Sequence, residues 1–401
     1  MSLTAALLIV VTAATSCGQR KAKYVFLFIG DGMGFSHVSL TEAYKAHERG
    51  EAGMDPLCFT SFPVLGEAVT CSANRPITCS SAAGTALSTG FKTNNGMLGV
   101  DPDTIALTSI SYKIHDAGYA VGIMSNVQIN HATPASFYGH SASRSAYYEI
   151  GKELPLTGFE FFGGGGFIYP QGRGGTEPVS LYETAEDGGY TIAYGIDDFA
   201  AKKDTSSRIL LVQAEGSDKI CPYALGRPEG ALTLPQIVES AVSVLERNRR
   251  GFFMMAEGGL IDWTAHGKDA AGTIMEILDF DQAIQVAYAF YQKHPKNTLI
   301  VVTADHCTGG LALGLRSYNY DLSPIDSLKC ATTTDNVEEY MDNKTSVDEV
   351  NEAARIGWTT YGHTGDVVPV WAVGAGSQKF AGRIDNTDVP RRICEAMGIE
   401  F

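Results

Sequence analysis

The stretch KYVFLFIGDG, Lys23–Gly32, is apolar without a break from Tyr24 to Ile29 and then opens into Gly-Asp-Gly. A run this short, with no polar alternation, reads as a strand covered on both faces, the condition of a parallel sheet. The same form recurs in YAVGIMSN (119–126), RILLVQ (208–213), FFMMAEGG (252–259), TLIVVTADH (298–306) and VVPVWAVG (367–374). Helical patterns lie between them, clearest over 232–247 and 272–294. Strand alternating with helix predicts an α/β fold, a three-layer α/β/α sandwich with a largely parallel central sheet. The glycine-rich FFGGGGFIYPQGRGG (161–175) reads as a loop, and the regions near 155–205 and 311–355 read as surface insertions.

With 401 residues, 44% of them hydrophobic, the chain can bury a large core, and disorder is excluded. A net charge of −15 argues against a nucleic-acid partner and requires a local positive site for any anionic substrate. Bound metal ions are one way to build such a site. The eight cysteines show no C-x-x-C pair, so most are expected as buried thiols, with a disulfide or two left open. Near the start, LTAALLIVVTAATSCGQRKAK has an apolar run of about ten residues, too short to span a bilayer, followed by small residues and Cys17. This layout predicts an export leader and tether over 1–21, with 22–401 as one domain. Ala14-Thr15-Ser16-Cys17 is similar to a lipobox, which implies a lipid anchor at Cys17 and a periplasmic or outer-membrane-anchored location.

Carboxylates and imidazoles gather just after the apolar runs. Asp31 follows the first; Glu257, Asp262 and His266 end or follow FFMMAEGG; Asp305 and His306 end TLIVVTADH; and His363 precedes VVPVWAVG. Ligands of open α/β sheets bind beyond the carboxyl ends of the strands, so these residues are expected on one rim. In EGGLIDWTAH, Asp262 and His266 are four apart, one helical turn, which suits two ligands of one metal. Imidazole with carboxylate suits zinc, while carboxylate with hydroxyl suits magnesium. CSSAAGTALSTG predicts a short helix opening at Ser80-Ser81 and closed by Gly90. A serine at that place is either a cap or a nucleophile in the positive field of the helix end.

Taken in order, FIGDGMG, TCSSAAGTALSTGFKTNNGMLGVD, HATPASFYGHSASR, EGGLIDWTAH, TADHCTGG and GHTG resemble the alkaline phosphatase family, over about Lys23 to Met397. The resemblance implies hydrolysis of phosphate monoesters through a phosphoserine, with two zinc ions and one magnesium ion, in a homodimer. It assigns the nucleophile to Ser80 and the phosphate-binding arginine to Arg144. Asp262, His266 and His363 correspond to the ligands of one zinc; Asp31, Asp305 and His306, with Ser80, to those of the second. Asp31 also bridges to the magnesium site, with Thr133 and Glu257.

Three positions depart from the best-known bacterial members. Cys79 stands where an aspartate orients the arginine, His131 where an aspartate supports magnesium, and Trp263 where a lysine or histidine lies near the phosphate. Phe35, Tyr138 and Trp263 are candidate pocket walls, and His37, His47, His115, His140 and His294 are given no role. Two other readings remain at this stage: a phosphodiesterase of the same superfamily, and a non-catalytic exported lipoprotein that binds a phosphorylated ligand. A sulfatase is disfavoured because CSSAAGT lacks the C/S-x-P-x-R context.

Overall fold

The structure, a computed structural model, describes residues 21–316, 318–327 and 347–401. The leader with Cys17, Cys330 and much of the 311–355 region lie outside the described residues.

The apolar runs form the strands they predict. β1 (Tyr24–Gly30), β3 (Ala120–Ser125), β6 (Ile209–Val212), β7 (Phe252–Gly258), β8 (Thr298–Thr303) and β13 (Val368–Gly374) all enter one ten-stranded sheet. β2 (Val64–Val69), β4 (Phe161–Gly164), β5 (Thr191–Tyr194) and β14 (Gly382–Asp385) complete it, in the order β14-β2-β13-β8-β1-β7-β3-β4-β6-β5. Neighbours are parallel except around β13, which runs antiparallel to both β8 and β2. The central strands β3, β7 and β8 are buried along their whole length, so both faces are covered and an unbroken apolar run is what each face requires. Helices Phe35–Glu48, Leu234–Leu245 and Ala270–Lys293 pack together in one layer. Ser80–Thr89, Ala132–Ala135, Ile110–Asp116 and Asp388–Met397 form a second group.

The loop expected over 161–175 is corrected at its start, where Phe161–Gly164 is the strand β4. Its glycines serve packing rather than turning. A Cβ on Gly163 would lie 2.5 Å from Ile237 Cγ2, and one on Gly164 would lie 2.9 Å from the Val127 carbonyl oxygen. Glycine in a strand often marks such a close approach, and the sequence alone does not separate that from a loop. The region 155–205 also supplies the edge strand β5.

Register does the positioning. β1 pairs in parallel with β7 and β8, setting Ile29 level with Glu257 on one side and Thr303 on the other. Asp31, Glu257 and Asp305 therefore emerge together at one end of the sheet. β3 places Ser125 opposite Glu257. Beyond β8 the chain forms β9 (Cys307–Thr308), which pairs antiparallel with β12 (His363–Thr364) and brings His363 to Thr308. Among the described residues, Cys58, Cys71, Cys79, Cys221, Cys307 and Cys394 are free thiols.

Candidate active site

Ser80 opens the helix Ser80–Thr89, which Gly90 ends in the left-handed conformation (φ 73°). The N-cap is Cys79, and it makes no side-chain capping bond. Ser80 does not cap either. Its hydroxyl, almost wholly buried, points across to His306 Nε2 at 3.2 Å. The same nitrogen lies 3.2 Å from Asp31 Oδ1 and 3.2 Å from Asp305 Oδ2. Asp31, Asp305 and His306 are fully buried and form one potential metal-binding group.

A second group shares His306 and adds Asp262 and His363. Asp262 and His266 face each other across one turn of the helix Leu260–His266, with Oδ2 and Nε2 3.3 Å apart. His363 Nε2 is 3.2 Å from His266 Nε2 and 3.8 Å from Asp262 Oδ1. The outer nitrogens fix the imidazole orientations. His363 Nδ1 donates to the Thr78 carbonyl at 2.9 Å, and His266 Nδ1 to the Tyr361 carbonyl. Each ring therefore turns its Nε2 lone pair inward, the arrangement that metal-bound histidines need.

Thr308 was not singled out from the sequence, yet it joins the two groups. Its Oγ1 donates to Asp262 Oδ1 at 2.5 Å and lies 3.2 Å from His306 Nδ1. A hydroxyl that gives its one proton to Asp262 accepts from His306 Nδ1–H, so His306 Nε2 is left free to face Ser80. Gly32 (φ 71°) makes room for this contact, since a Cβ there would lie 2.8 Å from Thr308 Oγ1 and 2.9 Å from Asp262 Oδ1. Asn126 was missed as well. Just past β3, its Oδ1 accepts from Gly259 N at 2.7 Å and Leu260 N at 3.2 Å, clamping the start of the helix that carries Asp262 and His266.

The electrostatics call for cations. Both oxygens of Asp31, Asp305 Oδ2, Glu257 Oε1 and Thr133 Oγ1 are buried with no hydrogen-bond partner. Such groups are costly unless a partner is supplied, and a metal ion supplies it. Burial, then the charges of Asp305, Asp262 and Glu257, raises the Asp31 carboxyl well above its ordinary range. Burial and Asp262 push Asp305 up to about 8, and burial pushes Glu257 up to about 7. Burial pushes Asp262 up too, but the hydrogen bond to His266 and the neighbouring imidazoles bring it below the usual carboxylate range. The residues present therefore fit bound metal cations, with Glu257 turned toward Thr133 and Asp31.

Arg144 is held by His131. Its Nη2 lies 3.2 Å from His131 Nε2, which must accept. Burial and the adjacent guanidinium lower His131 to about 3, so the ring stays neutral. The His131 ring in turn meets Trp263 edge-on, with centroids 5.9 Å apart. Cys79 accepts from Gly96 N at 3.1 Å and lies 3.3 Å from Ser81 Oγ. Of the candidate pocket walls, Phe35 is exposed and Trp263 stands at the site, but Tyr138 belongs to the core. It is fully buried, with its hydroxyl on the Ile129 carbonyl at 3.0 Å. His140 is structural, its Nδ1 2.8 Å from Glu153.

The family model for alkaline phosphatase matches residues 22–157 and 198–399. Alkaline phosphatase 3 of Bacillus subtilis is 31% identical over 427 aligned positions, covering 94% of this chain and 90% of that protein. The structure is similar to that of the alkaline phosphatase from the Antarctic bacterium TAB5, with 29% identity, a TM-score of 0.79, and coverage of 96% of this chain and 100% of that one. It is also similar to the Thermus thermophilus enzyme, at 25% identity and a TM-score of 0.81 over 99% and 96% of the two chains.

Proposed function

This chain belongs to the alkaline phosphatase family and is a phosphomonoesterase, and on that premise we propose that it works through a phosphoserine formed on Ser80. The observation that carries the mechanism is the placement of Ser80 Oγ at a helix start, 3.2 Å from an imidazole nitrogen that two unsatisfied buried carboxylates also face. Asp262, His266 and His363 would hold one zinc, and Asp31, Asp305 and His306, with Ser80, the other. Asp31, Thr133 and Glu257 would hold magnesium. Zinc, when bound, supplies Lewis acidity and brings hydroxyl and water acidity toward neutrality.

The residues divide the remaining work. Ser80 gives up its hydroxyl proton to solvent as Oγ attacks phosphorus, the ester P–O bond breaks, and the departing alkoxide oxygen takes a proton from water. Arg144 grips two non-bridging phosphoryl oxygens, a task suited to its planar fork, while His131 keeps that fork in place. Water then attacks the phosphoserine in line, releasing inorganic phosphate and restoring Ser80. The test is to compare rates on a monoester and a bis-ester with one zinc-loaded sample, and to trap the phosphorylated serine at low pH for mass spectrometry. A faster diesterase, or a phosphate on another residue, would refute the mechanism. The reading extends to an exported, homodimeric protein anchored through Cys17, acting on small phosphorylated substrates and not on nucleic acid.

His131 accounts for two departures at once, so His131→Asp is informative. A carboxylate is the harder ligand, and one of the solved relatives is a TAB5 variant with histidine changed to glutamate and magnesium bound in its M3 site. The expected result is a larger activation by added magnesium at fixed zinc, measured by titrating magnesium against turnover. Thr308→Val keeps the shape but removes the bridge between Asp262 and His306. Losing an outer partner of metal ligands should weaken zinc binding by about 10- to 100-fold, read by chelator competition, with Thr308→Ser restoring it.

A further inference from the structure

The end of the sheet opposite the catalytic rim carries charge of the other sign. β1, β3, β7 and β8 run in one direction and in register, so the chain enters all four at one end and leaves them at the rim that holds Asp31, Glu257 and Asp305. The seven residues of β1 and of β7 separate the two ends by about 20 Å. The entering segments bring Lys21 and Lys23 before β1, Arg249 and Arg250 before β7, and Lys293 and Lys296 before β8. These segments form one surface. Lys23 N donates to the Asn297 carbonyl at 2.7 Å, Phe252 N to the Lys23 carbonyl at 3.1 Å, and Ala120 N to the Gly251 carbonyl at 3.0 Å.

All of these cations but the half-buried Lys23 are exposed, in a chain whose net charge is −15. Asp116 and Glu246 are the acids beside them, and Arg247 is paired with Asp204 at 3.2 Å. Arg249, Lys293 and Lys296 make no ion pair with any described residue. Lys293 lies in the last turn of the helix Ala270–Lys293, where a cation suits the helix dipole. That accounts for one position. Lys23, Arg249, Arg250 and Lys296 lie outside the helices, where this reason does not apply.

We propose that this pole is a membrane-facing surface, which rests on anionic phospholipid headgroups and turns the catalytic rim away from the bilayer. The orientation rests on the reading of Cys17 as a lipid anchor. Cys17 stands four residues before Lys21, and that length of chain spans at most about 14 Å. A lipidated Cys17 would therefore hold the protein with this end, not the rim, against the membrane. Each Lys or Arg within a Debye length of an anionic surface adds attraction, while the acidic remainder of the chain is repelled. Charge and tether thus select the same face. Soluble phosphate esters then reach Ser80 from the aqueous side.

The test compares binding of the full chain to vesicles of phosphatidylcholine and to vesicles that also contain phosphatidylglycerol. Wild type is set against the triple variant Arg249→Gln, Lys293→Gln, Lys296→Gln. Wild type should bind the anionic vesicles about tenfold more tightly, and the advantage should vanish in the variant and at high salt. Both proteins should hold equally to phosphatidylcholine through the anchor. On anionic vesicles, labelling of Lys293 and Lys296 by an amine-acylating reagent should fall, while the exposed Lys219, in the segment after β6, reacts as it does in solution. Equal wild-type binding to the two vesicle types overturns the surface, as does an anionic preference that the variant keeps. Protection of Lys219 with Lys293 left reactive overturns the orientation. A wild type that ignores phosphatidylcholine removes the anchor and the orientation with it, while its preference for phosphatidylglycerol still decides the basic surface. Turnover of a soluble monoester should be equal in both proteins, and its absence in wild type would strike the phosphatase reading alone.

Discussion

Replacing Ser80 by alanine is expected to lower turnover by about 10³- to 10⁵-fold, because the proposed phosphoserine route loses its nucleophile while the groups assigned to phosphate binding stay in place. The structure limits what else the substitution disturbs. Ser80 makes no capping bond, so the helix Ser80–Thr89 loses no partner for its backbone. The clustered carboxylates and imidazoles remain where the sheet and the 363–364 pairing put them. Zinc content should accordingly be near that of the wild type, and the residual rate should come from water attacking directly. Ser81→Ala is the control. Its hydroxyl faces Cys79 Sγ rather than His306, so the effect should be roughly tenfold or less, as for an indirect positioning change. Steady-state rates with zinc analysis of the same samples check both. A severe loss at position 81 with a mild one at position 80 would move the nucleophile by one residue.

How much of this was legible before the structure follows from the range of each signal. Local signals read well. The buried strands announced themselves by unbroken apolar runs, and Asp262 with His266 by one helical turn. β2 and β14 did not. β2 alternates buried and less buried positions near the sheet edge, and its VLGEAV has no long apolar run. β4 was hidden by packing glycines that resemble loop glycines. In the site, the ligating residue types could be picked out from where they follow the strands. Their outer partners could not. Thr308 matters because β9 pairs with β12, and Asn126 because β3 lies beside β7, and neither pairing is written in any short window. The hold of His131 on Arg144 spans thirteen residues of loop and short helix, so the sequence showed that the usual aspartate was gone without showing what replaced it.

Removing the metals should abolish activity, to below about one part in a thousand, because Ser80 then has only the acidity of an ordinary alcohol. Zinc should restore it and magnesium raise it further. The protonation pattern adds a sharper expectation. In the metal-stripped protein Asp31 is raised, Asp305 titrates near 8 and Glu257 near 7, all above their unfolded values. Their contribution to the stability of the metal-free fold is therefore fully present below about pH 4 and is lost as pH rises through about 7 and 8. Burial holds His306 and His363 below their ordinary range, so these rings are already neutral at pH 7 and yield no proton to an incoming ion. The protons released on zinc binding come from the carboxyls and from His266, whose imidazole the hydrogen bond to Asp262 raises above its ordinary range. Zinc affinity should thus keep rising from pH 6 to about pH 8, beyond the range where free imidazoles would have finished titrating. Chelator competition at several pH values measures this directly, and thermal melts of loaded and stripped protein should diverge over the same interval. An affinity that levels off near pH 6.5 would show that neither the buried carboxyls nor His266 holds the competing protons. Full activity in protein shown to be free of metal would remove the mechanism altogether.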